Sequence, residues 1–223
     1  MGISYNSSIT RNGLIFCIDA ANPKSYPGSG LIVKDISNSK KTMTLSAGIE
    51  FLSEGKGCFY HNASGEIGTA PSVYSGVSSS TWEAWVNLEQ STNQYNMFMG
   101  RWSPYYAFFN GTNFFFSIIT GGVQRSISTA ANKVPNKWYH TVTTITYDGT
   151  NTTGRMYTNG ILEATATWAG APTYDGAIDI GDGRNTAWYP FKGKISKASL
   201  YNRALTEAEI KINFEALRGR YGI

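Results

Sequence analysis

The sequence has little charge, few histidines and cysteines, and no long apolar run. Asp, Glu, Lys and Arg make up only 15% of its 223 residues, and there are two His and two Cys. The apolar runs are far shorter than the ~18 residues that a transmembrane helix needs, which argues against a membrane-spanning helix. Two cysteines are too few for a disulfide framework, and without a C-x-x-C spacing they make a poor zinc site.

The two cysteines, Cys17 and Cys58, are expected to be buried free thiols that pack as small apolar side chains. A bridge between them is the alternative. The first residues, MGISYNSS, lack the basic segment, apolar stretch and cleavage site of a secretory signal. We therefore expect a protein that is made in the cytoplasm.

The residues that many enzyme classes need are also scarce. His61 and His140 do not have a metal-ligand spacing, and there is no G-x-S-x-G or G-x-x-x-x-G-K motif. A glycosidase needs two carboxylates that face one groove. Glu83 in TWEAWVN is instead followed two residues later by Trp85. We therefore expect no catalytic residues and no enzyme activity.

Aromatic residues and glycine are abundant, and they favour a β-sheet protein. Aromatics make up 14% of the chain, and there are 24 glycines. Short alternating apolar runs separated by Gly, Asn, Asp and Pro are typical of antiparallel strands. Hairpin signals occur at Asn110-Gly111, Asp148-Gly149 and Asn159-Gly160. We expect one all-β antiparallel sandwich of about a dozen strands over residues 1–223.

One helix is predicted near residues 206–218. Thr206 and Glu209 form a T-x-x-E capping box. Gly219 follows the last turn as the expected left-handed cap. Apolar residues at helical spacing form a stripe that should dock on the sandwich: Ile210, Phe214 and Leu217.

The positive charge is concentrated at one end of the sequence. The formal net charge is +4, and the whole excess lies in residues 192–223. We expect this segment to dock on an acidic protein neighbour through Lys192, Lys194, Lys197, Arg218 and Arg220. The alternative is that these are solvated cations, with the arginines near the negative end of a helix dipole. No stacking aromatics accompany them on a recognition helix, so we expect no nucleic-acid partner.

Turn-rich aromatic segments supply the candidate ligand-binding residues. Aromatic rings with amide and guanidinium groups suit a sugar, because the ring covers C–H surface and the polar groups bind hydroxyls. The candidates are Trp102, Tyr105, Tyr106, Arg184, Asn185, Trp188 and Tyr189. The alternative is that the aromatics pack in the core or at its rim. No cofactor is expected, except that Asp179 or Asp182 with loop carbonyls would suit Ca²⁺.

A family resemblance is carried by an ordered set of segments, among them DAANPKSYPGSG, TWEAWVNL, KWYHTVTTITYDGT, YNRALT and RGRYGI. Together they resemble the concanavalin A-like lectin/glucanase superfamily. More narrowly, they are similar to the laminin-G-like domains of tailed-phage virion proteins. The resemblance covers nearly the whole chain, and its more specific parts lie near the two ends.

The resemblance implies a two-sheet jellyroll with a C-terminal helix, used for glycan or protein recognition in fibres, tail appendages or capsid decoration. We therefore expect a non-enzymatic structural protein located in the virion. Its partners would be other virion proteins in a homo-oligomer or symmetric assembly, and its ligand a host-surface glycan. The alternatives are a carbohydrate-binding module of a cellular protein and a divergent glycosidase.

The sequence also departs from the family pattern. Val33 stands where many relatives have Trp, and His61 replaces the first acid of a stretch that is rich in acids in relatives. The paired glutamates of the glucanase branch have no match. These departures argue against a calcium role for those acids and favour a binding or structural role.

Overall fold

The computed structural model describes residues 8–63, 65–70, 73, 78–89, 95–101, 103–174, 176–182 and 191–223. Within them the first eight strands are β1 (Leu14–Asp19), β2 (Ile32–Lys34), β3 (Thr42–Leu45), β4 (Glu50–Leu52), β5 (Cys58–His61), β6 (Ile67–Ala70), β7 (Ser80–Leu88) and β8 (Asn96–Arg101). The next eight are β9 (Tyr105–Asn110), β10 (Asn113–Thr120), β11 (Val123–Ser128), β12 (Trp138–Tyr147), β13 (Asn151–Thr158), β14 (Ile161–Ala169), β15 (Ile178–Gly181) and β16 (Gly193–Tyr201). One helix follows, α1 (Glu207–Leu217), and short 3₁₀ turns span Glu54–Lys56 and Arg218–Arg220.

The strands form two antiparallel sheets of eight strands each. Sheet A has the order β14-β13-β12-β7-β16-β5-β4, and β1 also pairs with β16. Sheet B has the order β11-β10-β9-β8-β15-β6-β3-β2. The arrangement is consistent with a jellyroll sandwich and confirms the predicted all-β class. There are more strands than the predicted dozen because short strands such as β2 and β4, of three residues each, are too brief to show a sequence pattern.

Strand β7 shows how alternation builds the core. Because successive side chains of a strand point to opposite faces, every second residue enters the same layer. The residues that face the space between the sheets are Trp82, Ala84, Val86 and Leu88. Trp85 faces the other side of sheet A. From sheet B the core receives the aromatic residues Tyr105, Phe109, Phe114 and Phe116.

The predicted helix is confirmed, but the glycine cap predicted after it is wrong. Thr206 Oγ1 accepts a hydrogen bond from the backbone N–H of Glu209 at 3.3 Å, and the Glu209 carboxylate accepts one from the backbone N–H of Thr206 at 2.9 Å. This reciprocal pair satisfies two donors that a helix start leaves open. Gly219, however, is not a left-handed cap. It continues the chain within the 3₁₀ turn, and Gly222 has the positive φ, 71°.

Helix α1 packs on the outer face of sheet A. The ring of Trp85 is stacked between Phe214, at 5.9 Å, and Tyr221, at 4.2 Å between centroids. Leu217 packs on the same cluster. The helix therefore covers part of one broad face of the sandwich. In the described part of the chain, no helix has the length and apolar composition needed to cross a membrane.

Cys17 and Cys58 are free and buried, which confirms the expectation of two separate thiols. The Asn159-Gly160 hairpin is also confirmed, with φ of 51° and 79° at its two residues. At the first predicted hairpin, by contrast, Asn110 pairs with Asn113, so residues 111–112 form the turn.

Candidate functional site

The structure separates the two tyrosines that the sequence placed together in a ligand site. Tyr105 and Tyr106 are neighbours in β9, so their side chains point to opposite faces of sheet B. Tyr105 is fully buried, its hydroxyl donates to the Ala177 carbonyl at 2.5 Å, and its ring lies 4.9 Å from Trp82. It is therefore a core residue, and the prediction that it contacts a ligand is wrong.

Tyr106 lies on the outer face of sheet B, within a cluster of aromatic rings. The Tyr106 ring lies 5.3 Å from Phe108, and Phe108 stacks on Phe115 at 4.9 Å with an angle of 12° between the planes. Tyr95 meets Phe108 edge-on at 5.2 Å. Pairing between the strands produces this cluster, because Phe108 of β9 lies directly opposite Phe115 of β10.

Polar side chains border the same rings. Ser117 of β10 lies opposite Tyr106 of β9 and opposite Ser126 of β11, so the three residues form one row across three strands. The Ser117 and Ser126 hydroxyls are 3.1 Å apart, and the Gln124 amide donates to Ser117 Oγ. We call the depression over these residues the aromatic groove. It has a volume of about 290 Å³ and is lined by Tyr95, Tyr106, Phe108, Asn110, Phe115, Ser117, Gln124 and Ser126.

The Tyr106 hydroxyl is neutral at neutral pH, as that of an ordinary tyrosine is. Burial raises the pKa of Tyr106, and this outweighs the opposing effect of its hydrogen bond with Ser117. A neutral phenol both donates and accepts a hydrogen bond at neutral pH. The aromatic groove thus combines ring surfaces with hydroxyl and amide groups that suit a neutral polyhydroxylated ligand.

Five other predicted ligand residues lie outside the described residues: Trp102, Arg184, Asn185, Trp188 and Tyr189. Ligand binding through them stays a prediction. The two aspartates that were predicted to suit Ca²⁺ are both buried. Asp179 accepts a hydrogen bond from Thr69 Oγ1 at 2.9 Å, and Asp182 accepts one from the backbone N–H of Gly65 at 2.8 Å. The described residues contain no group of three or more His, Cys, Asp or Glu suited to a metal.

The prediction that Lys197 belongs to an exposed basic docking face is wrong. Lys197 is 2% exposed and points into the protein, where its ammonium group lies 4.0 Å from Glu83 Oε2. It lies inside because alternation along β16 turns it toward α1 rather than toward solvent.

The other four cations of that segment all have carboxylate partners. Lys194 pairs with Glu54 at 2.6 Å, and Arg220 pairs with Asp19 at 2.7 Å. Lys192 approaches Glu89 at 3.9 Å, and Arg218 pairs with Glu215 at 2.7 Å. The charge excess seen in the sequence is thus largely compensated within the fold, and docking through these four residues stays a prediction.

A buried polar cluster lies beneath α1. Glu83 is its centre: Oε1 lies 2.7 Å from His140 Nε2, and Oε2 accepts hydrogen bonds from Tyr201 at 3.2 Å and from Asn213 at 3.1 Å. Burial would raise the pKa of Glu83, but Lys197, His140 and Tyr201 together hold it at about 2. Both Glu83 and His140 are fully buried. The pair resembles an acid–base couple in composition, yet its enclosure is that of a structural network.

A laminin-G family model, described as concanavalin A-like lectin/glucanases superfamily, matches residues 61–211. That is more than half of the chain. The chain belongs to the concanavalin A-like lectin/glucanase superfamily. The match spans strands of both sheets, including β9, β10 and β11, which carry most of the aromatic groove. No curated protein matches the chain.

Solved structures with the same fold include binding domains of botulinum neurotoxins. The type G receptor-binding domain has a TM-score of 0.69 and 16% identity, with 92% of this chain and 51% of that chain covered. The serotype D ligand-binding domain in complex with N-acetylneuraminic acid has a TM-score of 0.70 and 15% identity, covering 95% and 52%. The chain spans about half the length of these structures. At such identities the likeness shows a shared lectin-like fold.

The sequence analysis missed most of the aromatic groove. Phe108, Phe115 and Gln124 line it, and none of them was a candidate. A usable signal was present: β9 and β10 read YYAFFN and NFFFSIIT, with aromatic residues at consecutive positions. Consecutive aromatics place rings on both faces of a strand, and one of these faces lies outside the core.

Proposed function

We propose that this chain is a non-enzymatic glycan-binding module and that the aromatic groove on sheet B is its sugar-binding surface. The observation that carries the proposal is the cross-strand packing of Tyr106, Phe108 and Phe115 on an outer sheet face, bordered by Ser117 and Gln124. Tyr106 and Phe108 are largely buried within this cluster, at 8% and 4% exposure, whereas Phe115 is only partly buried. The exposed part of the cluster suits a ligand with both C–H surface and hydroxyl groups.

The printed titles of fold neighbours support this proposal. One neurotoxin binding domain is in complex with N-acetylneuraminic acid, and another is in complex with SialylT. A related binding domain is in complex with rat synaptotagmin II, which is a protein ligand. Glycan binding is the better choice for this chain because the aromatic groove is small, at about 290 Å³, and holds hydroxyl and amide groups among its rings.

The test is binding of neutral oligosaccharides, first on a glycan array and then by isothermal titration calorimetry. We expect Phe115→Ala to weaken the strongest interaction by about three- to tenfold, in line with the energy of an aromatic contact. Tyr147→Ala is the matched control, because Tyr147 lies away from the groove and contacts Gly149 at 2.7 Å. If no glycan binds, or if both variants bind as the wild type does, the proposal fails.

The absence of catalysis is part of the proposal. The acid–base couple Glu83–His140 is enclosed beneath α1, so a substrate could not reach it without displacement of the helix. The purified protein should release no reducing ends from a broad panel of polysaccharides. Turnover that disappears in a Glu83→Gln variant would contradict the proposal and favour the divergent glycosidase.

We further propose that residues 1–223 form one jellyroll domain displayed on a phage particle, as part of a symmetric assembly made in the host cytoplasm. Support comes from the resemblance of the segments DAANPKSYPGSG and RGRYGI to laminin-G-like virion proteins. The test is mass spectrometry of purified particles, with the chain expected at a symmetric copy number. Its recovery only in a cellular fraction would favour a cellular carbohydrate-binding module.

A further inference from the structure

Four lysines surround a second depression, at the opposite edge of sheet B from the aromatic groove. We call it the lysine groove. It has a volume of about 420 Å³, and its lining includes Lys24, Lys34, Lys40 and Lys41, together with Asp35 and Ser37. Lys24 precedes β2, Lys34 ends it, and Lys40 and Lys41 precede β3. Because β11 and β2 are the two edges of the sheet, the two grooves are separate surfaces.

The lysine groove has an excess of positive charge, because four lysines and one aspartate line it. Within the described residues, none of the four lysines forms an ion pair, whereas all five cations predicted for docking lie within 4.0 Å of a carboxylate. The acid in the lining, Asp35, is 5% exposed, and both of its carboxylate oxygens accept hydrogen bonds from neighbouring groups. A cleft with an excess of charge of one sign concentrates oppositely charged ligands.

The carboxylate of Asp35 accepts hydrogen bonds that fix the loop on one side of the lysine groove. Oδ1 accepts hydrogen bonds from the backbone N–H of Cys17 at 2.8 Å and of Ser37 at 2.7 Å. Oδ2 accepts from the Ser37 hydroxyl at 2.7 Å and from the backbone N–H of Lys41 at 3.2 Å. Two acceptor atoms thus fix the loop that carries Lys40 and Lys41 to strand β1.

The remaining lysines are tied to the same frame. The backbone N–H of Lys34 donates to the Ser25 carbonyl at 2.8 Å, and Ser25 Oγ donates to the Lys34 carbonyl at 2.7 Å. Lys24 therefore lies next to a residue that is bonded twice to β2. A ligand would meet cations whose backbone positions are already fixed, which lowers the entropy lost on binding.

We propose that the lysine groove binds an anionic glycan, that is, a sugar chain carrying sulfate or carboxylate groups; this inference rests on the proposed function. Lysine is a compact point charge without the fork geometry that selects one planar group. Four of them therefore suit repeated charges along a chain. The lining contains no aromatic ring on which a base could stack, which disfavours single-stranded nucleic acid. Ile36 is the one large apolar residue in the lining, which is less than the apolar centre typical of a protein interface.

The experiment measures binding of a sulfated heparin octasaccharide by calorimetry, with uncharged maltooctaose and single-stranded oligo(dT) as the other probes. We expect Lys34→Gln/Lys40→Gln to weaken octasaccharide affinity by about tenfold, as expected for two exposed charge pairs. Lys137→Gln/Lys211→Gln is the matched control, with the same loss of charge at exposed lysines elsewhere, and should change affinity by less than about twofold. Salt at 1 M should abolish binding, because the Debye length falls to about 3 Å.

Three results would overturn the proposal: no binding of the sulfated octasaccharide, equal losses in the two double variants, or oligo(dT) binding as tightly as the octasaccharide. Thermal unfolding of each variant checks that it is folded. Phe115→Ala should leave octasaccharide affinity unchanged while weakening binding of neutral glycans. A failure of the aromatic groove and a failure of the lysine groove are therefore distinguishable.

Discussion

The buried Glu83 cluster provides a quantitative test of how charge stabilises this sandwich. Lowering the pKa of Glu83 from 4.5 to about 2 corresponds to about 3 kcal/mol of unfolding free energy. Because the folded-state pKa is the lower one, this contribution is present above pH 4.5. It is lost as the pH falls from 4.5 toward 2.

Replacing Glu83 by Gln removes the carboxylate that lies 4.0 Å from the ammonium group of Lys197, which is 2% exposed and keeps its hydrogen bond to Ser199. An uncompensated buried charge costs about 3 to 5 kcal/mol. We therefore expect Glu83→Gln to lower the unfolding free energy at pH 7 by that amount. The second variant, Glu83→Gln/Lys197→Met, removes both charges and should lose about 1 to 3 kcal/mol less than the single variant.

The measurement is denaturant unfolding followed by tryptophan fluorescence at several values of pH between 7 and 2. Glu215→Gln is the control, because Glu215 and Arg218 are both 46% exposed and such pairs contribute less than about 1 kcal/mol. Below pH 4.5 the wild type should lose stability more steeply than Glu83→Gln. If Glu83→Gln costs no more than Glu215→Gln, or if the two pH profiles run parallel, the reasoning is wrong.

Three further predictions concern the thiols, the helix cap and a glycine beside the aromatic groove. Burial raises the pKa of Cys17 and raises that of Cys58 to about 12, so neither thiol should react with Ellman's reagent at pH 8 until the protein is unfolded. Thr206→Ala should lower the unfolding free energy by about 1 kcal/mol through loss of the cap, measured by denaturation. Gly100→Ala would place a Cβ 2.6 Å from the backbone of β9 at a φ of 127°, and should cost more stability and glycan affinity than Gly122→Ala, where the space is open.

Local features of the fold could be predicted from the sequence because they depend on neighbouring residues. The capping box of α1 needs only Thr206 and Glu209. The alternation of side chains along β7 places Trp85 on the other face of the sheet from its two neighbours in sequence. The two-residue turn at Asn159-Gly160 follows from residues that tolerate positive φ. The glycine cap was not predictable in this way, because a 3₁₀ turn follows the helix where the cap was expected.

The candidate sites depended instead on contacts between distant residues. The lysines of residues 192–223 were predicted to form a free basic surface. Lys194 instead forms an ion pair with Glu54, which lies 140 residues away in the sequence. In contrast, Lys34 and Lys40 belong to residues 1–191, whose formal net charge is zero. That these two lysines form no ion pair within the described residues appears only once the strands are paired. Strand alternation could have separated Tyr105 from Tyr106, whereas the contact of Ser117 with Gln124 requires the register of β10 with β11.

Strand β16 has a consequence for how the protein forms during translation. It lies between β7 on one side and β1 and β5 on the other, so the middle of sheet A is incomplete until Tyr201 has been synthesised. The ion pair of Asp19 with Arg220 joins residues 201 positions apart. Contacts between distant residues slow folding, and the nascent chain holds unpaired strand edges for most of its synthesis. Such edges are prone to aggregation, so yield in a host cell should depend on chaperones that protect the growing chain.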